Sequence, residues 1–223
     1  MSFFVTGTDT NAGKTYVSSL LIRALRKRGI DCVGMKPICS GSQDDAEALH
    51  RASEGRASLN EINPIWLRAP AAPYVAAMIE NRPIDLDLIR RSYAALRRAH
   101  EAVVVEGVGG WLVPIERDYF VGDLAREMGL PVVVVVANRL GALNHAMLTV
   151  RSIREYGLTC LGIILNEIQP APPAEETIAA TTNRSVLETL LEVPILTEIR
   201  FGQTEVELDS SSAGVLATPT QLE

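Results

Sequence analysis

The chain has 223 residues, 47% of them apolar and 22% charged; this suits one globular domain with a sizeable core and excludes a disordered chain. A formal net charge of −6 without a basic cluster argues against a nucleic-acid partner. Three scattered cysteines, Cys32, Cys39 and Cys160, are too few for a disulfide framework or a zinc site and predict a reducing, cytoplasmic setting.

In chain order, β-branched apolar runs recur at 3–6, 32–36, 102–106, 131–137, 161–166 and 193–199. None alternates with polar residues, which predicts strands buried on both faces. Residues 14–29 place Val17, Leu20, Leu21, Ala24 and Leu25 on one helical face and stop at Gly29. Residues 85–99 and 141–157 repeat that helical pattern. The alternation predicts an α/β fold, a doubly wound, mostly parallel sheet flanked by helices. Residues 53–84, with prolines at 64, 70, 73 and 83, predict a short irregular excursion and a binding loop. The proline-rich stretch 169–176 predicts a turn into a further helix. Residues 1–206 read as a single domain, and the small, polar residues 207–223 as a flexible tail. No signal-peptide pattern opens the chain. The longest apolar run, 130–137, is too short to span a bilayer, so no membrane partner is expected.

The first strand and first helix enclose Gly7-Thr8-Asp9-Thr10-Asn11-Ala12-Gly13-Lys14-Thr15, a G-x-x-x-x-G-K-[ST] phosphate loop of the P-loop NTPase type. Its glycines let backbone N–H groups converge on phosphate oxygens, and the helix adds its positive end. Lys14 is expected to neutralise β/γ-phosphate charge, and the Thr15 hydroxyl to ligate Mg²⁺. Mg²⁺ needs one or two carboxylates besides. Glu106, ending the strand 102–106 ahead of the glycine run 107–110, is one candidate. Asp44 or Asp45, before a helix, supplies the other, unless it merely caps that helix. Lys36 ends a buried strand in "GMKPICSGS", where a cation opposite Lys14 could stabilise a γ-phosphoryl group in transfer. His50 and His145 lack ligand-like spacing, and Trp66 and Trp111 read as packing.

With these pieces in place the chain resembles the dethiobiotin synthetases, ATP-dependent enzymes of biotin synthesis. The likeness rests on "FVTGTDTNAGKT" (4–15), "KPICSGS" (36–42), "DDAEAL" (44–49), "VVEGVGGWLVP" (105–114), "RLGALNHAMLT" (139–149) and "GIILNEI" (162–168). It implies a reaction in which an amine of 7,8-diaminopelargonic acid takes up CO₂ as a carbamate. ATP then phosphorylates the carbamate, and the second amine closes a ureido ring, giving dethiobiotin, ADP and phosphate. By matching motif, Thr15, Asp45 and Glu106 would hold Mg²⁺, and Lys14 and Lys36 the transferring phosphoryl group. Asp45 is preferred because it directly precedes Ala46 in the family's D-A-x-A-L run. Thr10 and Ser40 would lie near the carbamate. The backbone of Asn11, Ala12, Gly13 and Lys14, with Tyr16 and the run Glu106, Gly107, Val108 and Gly109, would line the nucleotide site. Asn166 would read adenine, and Arg200 and Phe201 would close over the base. The resemblance also implies a homodimer with residues 139–149 near the interface, Leu143 and Asn144 touching the diamine's carboxylate from the partner subunit.

The chain departs from the family text at three points. Asn11 stands where many members carry Glu, Ile199-Arg200-Phe201 replaces Ile-Pro-hydrophobic, and no tyrosine lies near Ile178. A partitioning or septum-site P-loop switch is the main alternative. It would carry a second lysine soon after Gly7, where this chain reads Thr8-Asp9-Thr10. Another ATP-dependent amide-forming enzyme, such as a cobyrinic acid amidating synthase, would need a glutaminase domain for which 223 residues leave no room. A small-molecule kinase fits the "KPICSGS" and "VEGVGG" motifs poorly.

Overall fold

The computed structural model describes residues 1–171, 177–208 and 214–216. The chain opens with β1 (Ser2–Gly7), a 3-10 turn (Thr10–Ala12), α1 (Lys14–Lys27) and β2 (Cys32–Met35). An excursion comes next: β3 (Ile38–Ser40), α2 (Asp44–Ala52), α3 (Leu59–Ile62), β4 (Ile65–Leu67), α4 (Pro73–Ile79) and α5 (Leu86–Ala99). The chain continues through β5 (Ala102–Gly110), β6 (Pro114–Glu116), β7 (Tyr119–Phe120), α6 (Val121–Glu127) and β8 (Val132–Ala137). The described elements end with α7 (Ala142–Glu155), β9 (Cys160–Asn166), α8 (Thr177–Leu190) and β10 (Ile195–Ile199).

The main sheet has six strands in the order β10-β9-β8-β1-β5-β2, every pairing parallel. All residues of β1, β2 and β8 are buried, because helices cover both faces and leave no site for a polar alternation. The predicted inner face of α1 is buried throughout: Val17, Leu20, Leu21, Ala24 and Leu25. Side chains of this size stabilise the core by roughly 1.5–3 kcal/mol each when withdrawn from water. β1 lies between β5 and β8, the point where the chain turns to opposite sides of the sheet and a crevice opens beyond the strand ends.

Two expectations change in detail. β5 runs through the glycines to Gly110 rather than closing at Glu106, since the glycine backbone resumes pairing after a register shift and Gly110 meets Gly7. A small parallel pair, β3 with β4, and an antiparallel pair, β6 with β7, add two minor sheets. Trp111 packs edge-on between Phe4 and Tyr156, with centroids at 6.4 and 5.4 Å. Trp66 is part-exposed, its indole N–H donating to the Gly41 carbonyl at 2.8 Å. His50 Nδ1 contacts the Ala57 carbonyl oxygen at 2.9 Å. All three cysteines are free. Among the described residues no helix is long and apolar enough to cross a membrane. Most of the expected tail lies outside the described residues, although Leu208 and Leu216 are buried.

Candidate active site

The phosphate loop is built by the end of β1. Thr8 N–H donates to the Val135 carbonyl at 3.0 Å, and Asp9 caps the 3-10 turn by accepting from Thr10 N–H at 2.7 Å. Gly13, at φ +85°, reverses the chain into α1. A Cβ there would fall 2.2 Å from Asn166 Nδ2, so both the backbone angle and the space require glycine. The first N–H groups of α1 have no intrahelical acceptor and are free for an anion. Lys14 curls back over the loop, Nζ donating to the carbonyls of Asp9 at 3.0 Å and Thr10 at 3.2 Å. Burial and the neighbouring Lys36 cation lower its pKa to about 8, so its charge lacks a full counter-charge.

Behind the loop lies a buried ion cluster. Lys36 Nζ stands 2.6 Å from Glu106 Oε1 and 2.7 Å from Asp45 Oδ2, and 3.3 Å from the Gly107 carbonyl oxygen. Burial opposes its charge, but the two carboxylates outweigh that and hold its pKa above the usual lysine value. For Asp45, burial pushes the carboxyl up while Lys36 pulls it down, and the net direction is down. The Thr15 hydroxyl donates to Glu106 Oε1 at 2.7 Å. Glu106 Oε2 is buried with no partner, a desolvation cost that a cation would offset. Gly107 beside it has no room for a side chain: a Cβ would come within 2.9 Å of the Phe4 ring.

A cleft of about 640 Å³ collects these groups. Of the residues expected from sequence, Thr10, Asn11, Gly13, Lys14, Thr15, Tyr16, Lys36, Ser40, Asp45, Val108, Gly109, Asn166 and Phe201 line it. Ala12, Glu106 and Gly107 lie behind its wall, Ala12 accepting from Asn166 Nδ2 at 2.9 Å. With Nδ2 so engaged, Asn166 Oδ1 is left buried and unpartnered, as is Ser40 Oγ. Arg200 is on the adjoining loop, its backbone N–H donating to Gln203 Oε1 at 3.0 Å. Leu143 and Asn144 lie on α7 outside the cleft, Leu143 half-buried and Asn144 exposed. That helix is tied to the loop through Arg139, whose Nη2 is 3.6 Å from Asp9 Oδ2.

The cleft also takes in Cys39, Ser42, Glu167, Ile168 and Gly202. The first four lie inside the motifs 36–42 and 162–168, which assign them no role of their own; Gly202 has only its adjacency to Phe201. Burial raises the Cys39 thiol pKa to about 11, so it is not a nucleophile at neutral pH. The arrangement offers two lysines, a hydroxyl and two carboxylates around a phosphate-sized cradle. It suits alignment and charge neutralisation in phosphoryl transfer rather than covalent catalysis.

This phosphate loop on a parallel sheet defines a P-loop nucleotide-binding protein, and residues 1–201 match the AAA domain family. Chloroplast FtsY from Physcomitrella patens shares the fold, with a TM-score of 0.56 over 96% of this chain and 63% of that one at 15% identity. A ParA family ATPase from Chlorobium tepidum does so at 0.54, over 96% and 90%, at 14% identity. Sequence likeness is much closer to a narrower group. The ATP-dependent dethiobiotin synthetase BioD of Akkermansia muciniphila is 47% identical over 208 residues, 93% of this chain and 96% of the relative. That of Aromatoleum aromaticum is 41% identical over 203 residues, 87% of this chain and 88% of the relative. That of Bacillus velezensis is 40% identical over 200 residues, 87% and 84%. The chain belongs to the ATP-dependent dethiobiotin synthetase family.

Proposed function

We propose that the chain is an ATP-dependent cyclo-ligase that makes dethiobiotin from 7,8-diaminopelargonic acid, CO₂ and ATP. The observation that carries this beyond family membership is the pairing of Lys14 and Lys36 in one cleft beside the unpartnered Ser40 hydroxyl. A carbamate formed on the substrate is its own nucleophile, so such a site needs only cations and alignment. Its oxygen attacks the γ-phosphorus, and the bond to ADP breaks. The second amine then attacks the carbamoyl carbon, a C–N bond forms, phosphate leaves, and the attacking nitrogen loses its proton.

In this reading the backbone of Asn11, Ala12, Gly13 and Lys14, with Tyr16, cradles the nucleotide phosphates. Lys14 and Lys36 hold the phosphoryl group, while Thr10 and the unpartnered Ser40 hydroxyl orient the carbamate. Val108 and Gly109 line the nucleotide side, with Gly107 behind them. Asn166 Oδ1, fixed as an acceptor by the bond from its Nδ2 to Ala12, suits the exocyclic amine of adenine. Arg200 and Phe201 border the base. Thr15, Asp45 and Glu106 form an all-oxygen donor set that fits Mg²⁺, and the unpartnered Glu106 Oε2 supports it. The ion would supply charge neutralisation for the polyphosphate.

A homodimer is supported by the apolar surface of α7 and the turn before it, where Leu140 and Leu148 are 65% and 60% exposed. Leu143 and Asn144 on that helix would then reach the diamine's carboxylate in the partner's site. A reducing cytoplasmic location suits the three free thiols. The test is incubation with the diamine, ¹³C-bicarbonate, Mg²⁺ and ATP, read by mass spectrometry. The expected product is dethiobiotin carrying a single ¹³C, formed one for one with ADP. ATP turnover indifferent to the diamine, without a ring product, would overturn the proposal.

A further inference from the structure

One wall of the cleft is the loop that follows β10. Phe201 and Gly202 line the cleft from the loop after β10, and Phe201 is half exposed. Such a loop is ordinarily mobile, yet here several of its polar groups are engaged. Phe201 N–H approaches Glu167 Oε2 at 3.3 Å, and Gln203 N–H donates back to the Arg200 carbonyl at 3.1 Å. The Gln203 side chain joins the loop to residues 204–208. Its Oε1 accepts from Arg200 N–H at 3.0 Å, and its Nε2 donates to the Glu205 carbonyl at 2.7 Å.

Residues 204–208 then run along α1, beside Leu20, Arg23, Ala24, Lys27 and Arg28. The Tyr16 hydroxyl donates to the Gln203 carbonyl, Arg28 Nη1 donates to the Leu208 carbonyl at 3.2 Å, and Lys27 pairs with Glu205 at 2.9 Å. Val206 and Leu208 are buried beside a groove of about 420 Å³ that Leu20 and Ala24 also line. The exposed Lys27 pair contributes little. The two buried apolar side chains are what fasten the segment. The whole strap lies past residue 201, where the match to the AAA domain family ends.

We propose that Gln203 is a positioning residue which, with the strap 204–208 fastened to α1, holds Phe201 and Gly202 as a preformed wall of the nucleotide pocket. The inference rests on the nucleotide reading of the cleft. An ordered wall spares the nucleotide the entropy of ordering the loop, so the strap acts on nucleotide affinity and not on the chemical step. Because α1 also begins at the phosphate loop, the base wall and the phosphate cradle are fastened to one rigid element.

The test compares wild type with Gln203→Ala, Gln203→Glu and the double variant Val206→Asp/Leu208→Asp. Gln203→Ala and the strap variant should weaken ADP binding by about 5–10-fold in calorimetry, the scale of one ordered loop contact. KM for ATP should rise in parallel, while kcat at saturating ATP and KM for the diamine stay within about twofold. Gln203→Glu keeps the acceptor for Arg200 N–H but sets a carboxylate oxygen against the Glu205 carbonyl, so it should weaken ADP binding at least as much as Gln203→Ala. Amide exchange over 200–204 should speed up in the weakened variants. If the strap variant does not fold, the two Gln203 variants carry the test alone. Unchanged ADP affinity in Gln203→Ala, or equal losses in kcat and in both KM values, would overturn the proposal. A wild-type chain that binds no ADP would instead overturn the nucleotide reading on which it stands.

Discussion

Lys36 carries the site's sharpest energetic constraint. Its ammonium is the counter-charge to a fully buried Glu106 and to Asp45. Removing one partner of a buried pair leaves an uncompensated charge at a cost of about 3–5 kcal/mol. Lys36→Met should therefore lower unfolding free energy by several kcal/mol in urea titration, and Lys36→Met with Glu106→Gln should recover much of it. In turnover assays Lys36→Ala should lose about 10²–10³-fold while largely keeping nucleotide binding; wild-type turnover would remove its catalytic role. Gly13→Ala should abolish nucleotide binding and lower the melting temperature, because the site demands φ +85° and leaves 2.2 Å to Asn166. At this scale the sequence speaks clearly where a residue type and a spacing carry the chemistry: Gly13, Lys14, Thr15, Lys36, Asp45 and Glu106. It gives no role to Glu167 and Ile168, although they close the 162–168 motif, and is silent on Gly202; their presence in the cleft depends on where β9 and the loop after β10 end. Nothing in their own chemistry distinguishes them from solvated loop residues.

Among the elements, the six long strands and the helices over 14–27, 86–99 and 142–155 are legible from hydrophobic period. β3 and β4 are not, because three residues each are too few to show a period. The end of β5 escapes the sequence for a related reason. Glycines read as a turn unless one knows that the strand beside them, ending at Gly7, pairs with them. Away from the site, the ends of three elements meet at Asp31, which faces Arg26 of α1 at 3.4 Å and His100 after α5 at 2.8 Å. Arg26 also reaches Glu54 after α2 at 2.6 Å. The hydrogen bond from His100 lowers the Asp31 pKa below its ordinary 3.8, against a smaller opposing effect of burial. The stability this provides is therefore fully present above about pH 3.8 and is lost as pH falls through the lower folded-state value. Asp31→Asn should lower the melting temperature near neutral pH and flatten its fall on the acid side, measured from pH 2 to 6 by about half-unit steps. An unchanged acid limb would assign that limb to other carboxylates.

For the whole molecule, the strand order sets the function by placing β1 between β5 and β8. Three groups of residues distant in sequence, near 14, 36–45 and 106, thereby converge at one crevice. The chain alternation foretells a parallel sheet, but the same sheet serves FtsY and ParA relatives with TM-scores of 0.56 and 0.54. Function has to come from the motifs on it. A dimer through α7 predicts that Leu148→Asp lowers the sedimenting mass by half and raises KM for the diamine, with ADP binding unaltered. A monomeric wild type of full activity would contradict that arrangement. In the proposed reaction the cleft moves a phosphoryl group onto a carbamate, and one oxygen atom reports that transfer. Turnover with ¹⁸O-bicarbonate, the diamine, Mg²⁺ and ATP in unlabelled water would be quenched before bicarbonate exchanges with solvent, and the released phosphate weighed. The account predicts one ¹⁸O in each phosphate, carried over from the carbamate when the ring closes. Phosphate without that label, its new oxygen drawn from water, would contradict it.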